Sequence, residues 1–135
     1  MVVAINFSTI GYIKQINVLF EVTAGETAMY HAHIYFDLSQ QSLAEQIHQQ
    51  IRLSRADTTA IFPLVKKKVG PHVKPMFEVH FNDNQFGFIE WLEQHRAGLS
   101  VLIHPVTGNH LADHTRDAIW LGERLSVRTE IFGQH

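Results

Sequence analysis

The stretch Tyr30-His31-Ala32-His33-Ile34-Tyr35-Phe36-Asp37 decides how the chain is read. It predicts a β-strand, in which successive side chains point to opposite sides. His31, His33 and Tyr35 then share one side, and Ala32, Ile34 and Phe36 share the other. The second set is what a sheet presents to a covering helix. The first is a row of imidazoles in the middle of a domain.

Downstream of this strand, Asp37 to Gln41 is a polar connection, and Ser42-Leu43-Ala44-Glu45 fits a capping box, in which side chains at the two ends satisfy free amides. Leu43, Ile47 and Ile51 recur at helical spacing, predicting a helix over 39–54. Thr59 to Val65 reads as a second strand, placed at a sheet edge because Pro63 has no amide to donate. Val69-Gly70-Pro71-His72 is a turn. Pro75 to Phe81 is a third strand, with Phe77, Val79 and Phe81 on one side and Met76, Glu78 and His80 on the other. Asn82 or Asp83 is expected to cap a second helix with Phe86, Ile89, Leu92 and either Phe88 or Trp91 in its buried stripe, ending at Gly98. Leu99 to His104 is a fourth strand, with Ser100, Leu102 and His104 on one side. A third helix is expected over 111–121, stopping at Gly122, and a short strand over 126–132.

The order β-α-β-β-α-β with a C-terminal helix predicts an α+β, ferredoxin-like fold with an antiparallel sheet in the order 4-1-3-2. That order puts the Pro63 strand at an edge. A doubly wound parallel sheet would need a helix between the second and third strands, where only Lys66 to Lys74 is available. Residues 29–135 are read as this domain and residues 1–28 as an N-terminal extension, with Ile13 to Val22 rich in β-formers.

Composition narrows the function. The 135 residues are 45% hydrophobic, enough for one domain with a real core. A net charge of −2 leaves no basic footprint for nucleic acid, and Lys66-Lys67-Lys68 reads as a solvated run. The absence of cysteine excludes disulfides, thiolate metal sites and thiol nucleophiles. No apolar run is long enough to span a membrane and no signal peptide is visible, so the expected location is cytoplasmic.

Ten histidines stand out, scattered rather than clustered as a tag. In the predicted topology His31, His33, Tyr35, Glu78, His80 and His104 all fall on the face away from the helices. The first strand runs opposite to its neighbours, so His31 meets the ends of the strands that carry His80 and His104. Strands about 4.8 Å apart allow such imidazoles to share one ion. Imidazole with a carboxylate suits zinc, iron, copper or nickel, and open positions suit non-haem Fe(II) and oxygen. A solvated polar face or a dimer contact would show the same pattern. His72, in a rigid Gly-Pro turn, and His114, after Asp113, stand ready for acid–base or merely structural work.

His31-Ala32-His33-Ile34-Tyr35-Phe36, Val69-Gly70-Pro71-His72 and Met76-Phe77-Glu78-Val79 together resemble the DOPA 4,5-dioxygenase family. So does the block from Leu102-Ile103-His104-Pro105-Val106-Thr107-Gly108 through Asp113-His114-Thr115 to Ala118-Ile119-Trp120-Leu121-Gly122. The resemblance implies a homodimer that cleaves a catechol such as DOPA with Fe(II) and O2, by the extradiol route, with zinc or nickel as the substitutes for iron to expect in purified protein. It carries over His31, His33, His72, His104 and His114 as the family's histidines; we expect His31, His33 and His104 around the metal, with Glu78 and, from the shared face alone, His80 and Tyr35 as possible additions. It implies His72 and His114 as catalytic acid–base groups. His80 lies outside the family's pattern, and Asn109-His110 stands where relatives tend to be acidic. The alternative is a non-catalytic, dimeric metal- or small-molecule-binding module on the same fold.

Overall fold

The structure, a computed structural model, describes residues 29–132. The predicted extension over 1–28, with its Ile13 to Val22 run, and the terminal His135 lie outside the described residues.

The elements are β1 (Met29–Tyr35), a 3-10 turn (Leu38–Gln40), α1 (Gln41–Ser54), β2 (Thr58–Ile61), β3 (Met76–Asn82), α2 (Phe88–His95), β4 (Val101–Pro105), α3 (His110–His114), β5 (Ile119–Leu121) and a final 3-10 turn (Thr129–Phe132). They form an α+β domain around one antiparallel sheet of five strands in the order β2-β3-β1-β4-β5. The expected sheet had four strands, 4-1-3-2; the difference is β5, which pairs with the outer side of β4. It takes the place of the end of the predicted third helix. Ile119 and Leu121 are buried on the helix-covered side while Trp120 is only half-buried, a period of two rather than 3.6. The predicted strand over 126–132 is likewise replaced by the 3-10 turn.

The main core lies between the sheet and the helices. Ala32, Ile34 and Phe36 from the first strand region, Phe77, Val79 and Phe81 from β3 and Val101 and Ile103 from β4 pack against Ala44, Ile47 and Ile51 of α1 and Phe88, Ile89 and Leu92 of α2. β2 is short because Pro63 follows it; pairing resumes only as the single bridge of Val65 to Met76.

Helix starts depart from expectation in detail. The polar connection closes with the Asp37 amide donating to Gln40 Oε1 at 2.9 Å, while Ser42 already lies within α1. Before α2, Asn84 does the capping expected of Asn82 or Asp83. Its Oδ1 accepts from the Ile89 amide at 2.9 Å and its Nδ2 donates to Glu90 Oε1 at 2.8 Å. Phe86, expected in the buried stripe, is exposed; of the two residues expected to complete that stripe, Phe88 is buried and Trp91 only partly so. Because Asn84 is fully buried, Asn84→Ala strands the Ile89 amide. We expect a loss of about 1–2 kcal/mol, read as a lower urea midpoint with unchanged slope.

The other side of the sheet is not open. Tyr35, Met76 and Leu102 form a second apolar cluster there, joined by Val69, Ala118, Trp120, Leu125 and Val127. The chain after β4 therefore folds back over this face, tied by the Arg128 amide donating to the Pro71 carbonyl at 2.8 Å. The sequence reading left this face uncovered. Alternation within strands says which side chains share a face, not whether a distant segment returns to cover it.

Candidate metal centre and active site

Strand register builds the site. In β1, His31 lies opposite His80 of β3 on one side and opposite His104 of β4 on the other, so three imidazoles form a row across the sheet. His33 lies opposite Glu78, one pleat further along. The turn ending at His72 and the short helix α3 carrying His114 close over them. His33 and His72 have ring centroids 4.2 Å apart, and His104 and His114 4.0 Å. His33, His72, His104 and His114 are buried, while His31, Glu78 and His80 are half-buried.

One nitrogen from each of His31, His33 and His104 falls within 4.8 Å of the others, the geometry of a shared ion. His31, Glu78 and His80 form a second such group, overlapping the first at His31. His80 donates to Glu78 and stacks on His31 at 3.7 Å between centroids. It thus stands apart from the buried set around His33.

Hydrogen bonds fix where the protons sit. His104 Nδ1 lies 2.8 Å from the Pro105 carbonyl, which can only accept, so Nδ1 donates and a neutral His104 keeps a bare lone pair on Nε2. That lone pair faces His33 Nε2 at 3.0 Å. With no ion between them, His33 donates from Nε2, and its buried Nδ1 is left without a hydrogen-bond partner. The nearest carboxylate oxygen to this orphan belongs to Glu78, at 3.7 Å. With an ion between the rings, the His33 proton would move to Nδ1 and face Glu78, the carboxylate–histidine arrangement common behind metal ligands. The donors present therefore fit a transition-metal ion.

His114 Nδ1 donates to the His110 carbonyl at 2.8 Å, leaving its Nε2 bare. His72 is the opposite case. Its Nδ1 is 2.7 Å from the Tyr35 hydroxyl. Tyr35 is buried, its pKa is pushed up by that burial, and among the described residues no other acceptor faces its proton. Tyr35 therefore donates, and His72 carries its own proton on Nε2.

Burial keeps the cluster neutral. It pushes His104 down to about 3 and His72 down to about 4, in both cases with His114 as the next cause. His33 falls well below its ordinary range through complete burial and then through His72. Burial also lowers His31 and His114. Neutral imidazoles are the ligand form.

A cleft of about 400 Å³ opens beside this cluster, with His114 and Trp120 in its wall. Trp120 stacks on Tyr35 at 5.8 Å, connecting the cleft to the His72 pair. The cleft owes its form to residues 120–129, which the sequence reading assigned to a helix end and a strand. Trp120 at the middle of an alternating triplet was the signal available.

The sequence profile of the Dopa 4,5-dioxygenase family matches residues 30–131. The chain belongs to that family. Among its relatives is an uncharacterized 21.2 kDa protein of Botryotinia fuckeliana, 35% identical over 116 residues, covering 77% of this chain and 63% of the relative. Another is the DOPA 4,5-dioxygenase of Amanita muscaria, 27% identical over 109 residues, covering 75% of this chain and 48% of the relative. The chain thus spans between about half and two thirds of the curated relatives it matches. A crystal structure from Nostoc punctiforme, described as a candidate dioxygenase, superposes with a TM-score of 0.74 at 34% identity. That likeness covers 83% of this chain and 96% of the other. No helix among the described residues is long and apolar enough to cross a membrane.

Proposed function

We propose that the protein is an extradiol dioxygenase that opens a catechol ring with O2, using Fe(II) held by His31, His33 and His104. The observation that carries this reading is the convergence of three neutral imidazoles from two strands, flanked by His72 and His114 with opposite proton placement. The reaction breaks the ring carbon–carbon bond beside the diol and adds both oxygen atoms to the product. Bound iron would supply the Lewis acidity that favours the catecholate and the redox partner that oxygen needs.

The chain's own residues do the rest. The cleft beside Trp120 offers an aromatic and apolar wall to one face of the catechol ring. His114, with its bare Nε2, takes a hydroxyl proton from the catechol. His72, with Nε2–H presented, donates to an oxygen as negative charge develops on it. Tyr35 keeps His72 in that tautomer. Glu78 faces the Nδ1–H that a metal-bound His33 would carry, and so orients a ligand rather than binding substrate.

The test is anaerobic loading with Fe(II), then addition of catechols and oxygen. A yellow semialdehyde and uptake of one O2 per ring are expected. Tight metal uptake with no oxygen consumption for any catechol would reduce the protein to a metal-binding module. In an active protein, His114→Gln should lower kcat by about 10²–10⁴-fold with metal content retained.

A further inference from the structure

We propose that Arg124 forms an anion subsite in the cleft, selecting catechols whose side chain ends in a carboxylate and bears no ammonium group. The inference rests on the ring-cleaving reading and deepens it. Arg124 lines the same cleft as His114 and Trp120, and Leu125 and Val127 form its apolar wall. Among the described residues Arg124 makes no ion pair or hydrogen bond, unlike Arg55, Arg96, Arg116 and Arg128, each of which pairs with an acidic side chain. A guanidinium with its donors free beside a half-apolar cleft matches a carboxylate, which it can bind through two parallel bonds.

The cleft's charge carries the second half of the argument. Among the described residues no carboxylate lines it. Glu123, next to Arg124 in the chain, is exposed and does not line the cleft, and the other acidic groups around it are already engaged. Asp113 is buried and accepts from the Thr107 amide at 3.0 Å and hydroxyl at 2.6 Å. Glu130 pairs with Arg128, and Glu78 accepts from His80 on the sheet. An ammonium on the substrate's side chain would therefore enter a cationic cleft with no partner, and lose affinity by desolvation and repulsion.

The experiment compares kcat/KM of the iron-loaded protein for dihydrocaffeate, DOPA, methylcatechol and dopamine. These share a catechol and differ in the charges on the side chain. Dihydrocaffeate should be best, about tenfold over methylcatechol, with DOPA below it and dopamine last. In Arg124→Gln the ratio of dihydrocaffeate to methylcatechol should fall about tenfold, and Arg124→Lys should restore part of it. A second readout is independent of turnover: calorimetric binding of hydrocinnamate, which lacks the diol, should weaken about tenfold in Arg124→Gln. If binding and the substrate ratio are the same in both proteins, or DOPA exceeds dihydrocaffeate, the subsite is wrong while the ring-cleaving reading stands. If no catechol turns over but hydrocinnamate binding still depends on Arg124, the reverse holds.

Discussion

His33→Ala should lower metal affinity by about 100-fold or more and bring turnover down by about 10³-fold. Loss of outer partners alone costs 10–100-fold in affinity at such sites, and removal of a ligand exceeds that. His33 is the residue to change because it sits at the centre. It faces His104 at 3.0 Å, packs on His72 at 4.2 Å between centroids and lies opposite Glu78. Metal content after dialysis and oxygen uptake give the readout, with circular dichroism as the check that the sheet is intact. His48→Ala is the matched control. Its ring bonds the Phe62 carbonyl at 2.9 Å and packs on Phe77, on the helix-covered side. It should retain metal. A His33→Ala protein that holds iron as wild type does would remove the site we propose.

Acid should unfold the metal-free protein over a window set by the buried imidazoles. Their folded pKa values lie below the ordinary 6.5: about 4 for His72, about 3 for His104, and well below for His33. The unfolded chain therefore binds protons that the folded chain refuses, so stability rises with pH between about 4 and 6.5 and is level above. Each such histidine contributes about 1.4 kcal/mol per pH unit inside the window. Three of them would remove about 4 kcal/mol per unit, against a total of about 5–15 kcal/mol for a domain. Urea midpoints measured from pH 7.5 down should hold until about pH 6.5 and then fall steeply. Saturating metal should move the fall to lower pH, because ligands must be unprotonated to bind. A midpoint that stays flat to about pH 4.5 would contradict the buried, neutral cluster.

Much of this arrangement was legible in the sequence where a short period is strict. The alternation of His31, His33 and Tyr35 against Ala32, Ile34 and Phe36 places both sets, and the direction of strands places His31 between His80 and His104. What was not legible is local and brief or distant and long. A five-residue helix at His110–His114 and a three-residue strand at Ile119–Leu121 are too short to show a period, so one run of apolar residues passed for a single helix. Asn84 replaced the expected caps because three polar residues in succession offered the same signal. The return of residues 118–127 over Tyr35, Met76 and Leu102, on the face that carries the histidines, depends on contacts that no local pattern carries. Proton placement on His72 and His114 depends on single hydrogen-bond partners, a hydroxyl and a carbonyl, which sequence cannot align.

The row of imidazoles across β3, β1 and β4 also bears on how the strands find one another. A slip of β1 by one residue would swing His31 and His33 beneath the helices, among Phe77, Phe81 and Ile103, with no polar group to receive them. It would also drive Ala32, Ile34 and Phe36 out of the core. Misaligned sheets are thus penalised twice, once by each side of the same strand. The residues offered for chemistry act in assembly as a proofreading comb, and a chain with all of them made apolar should fold with a less certain alignment.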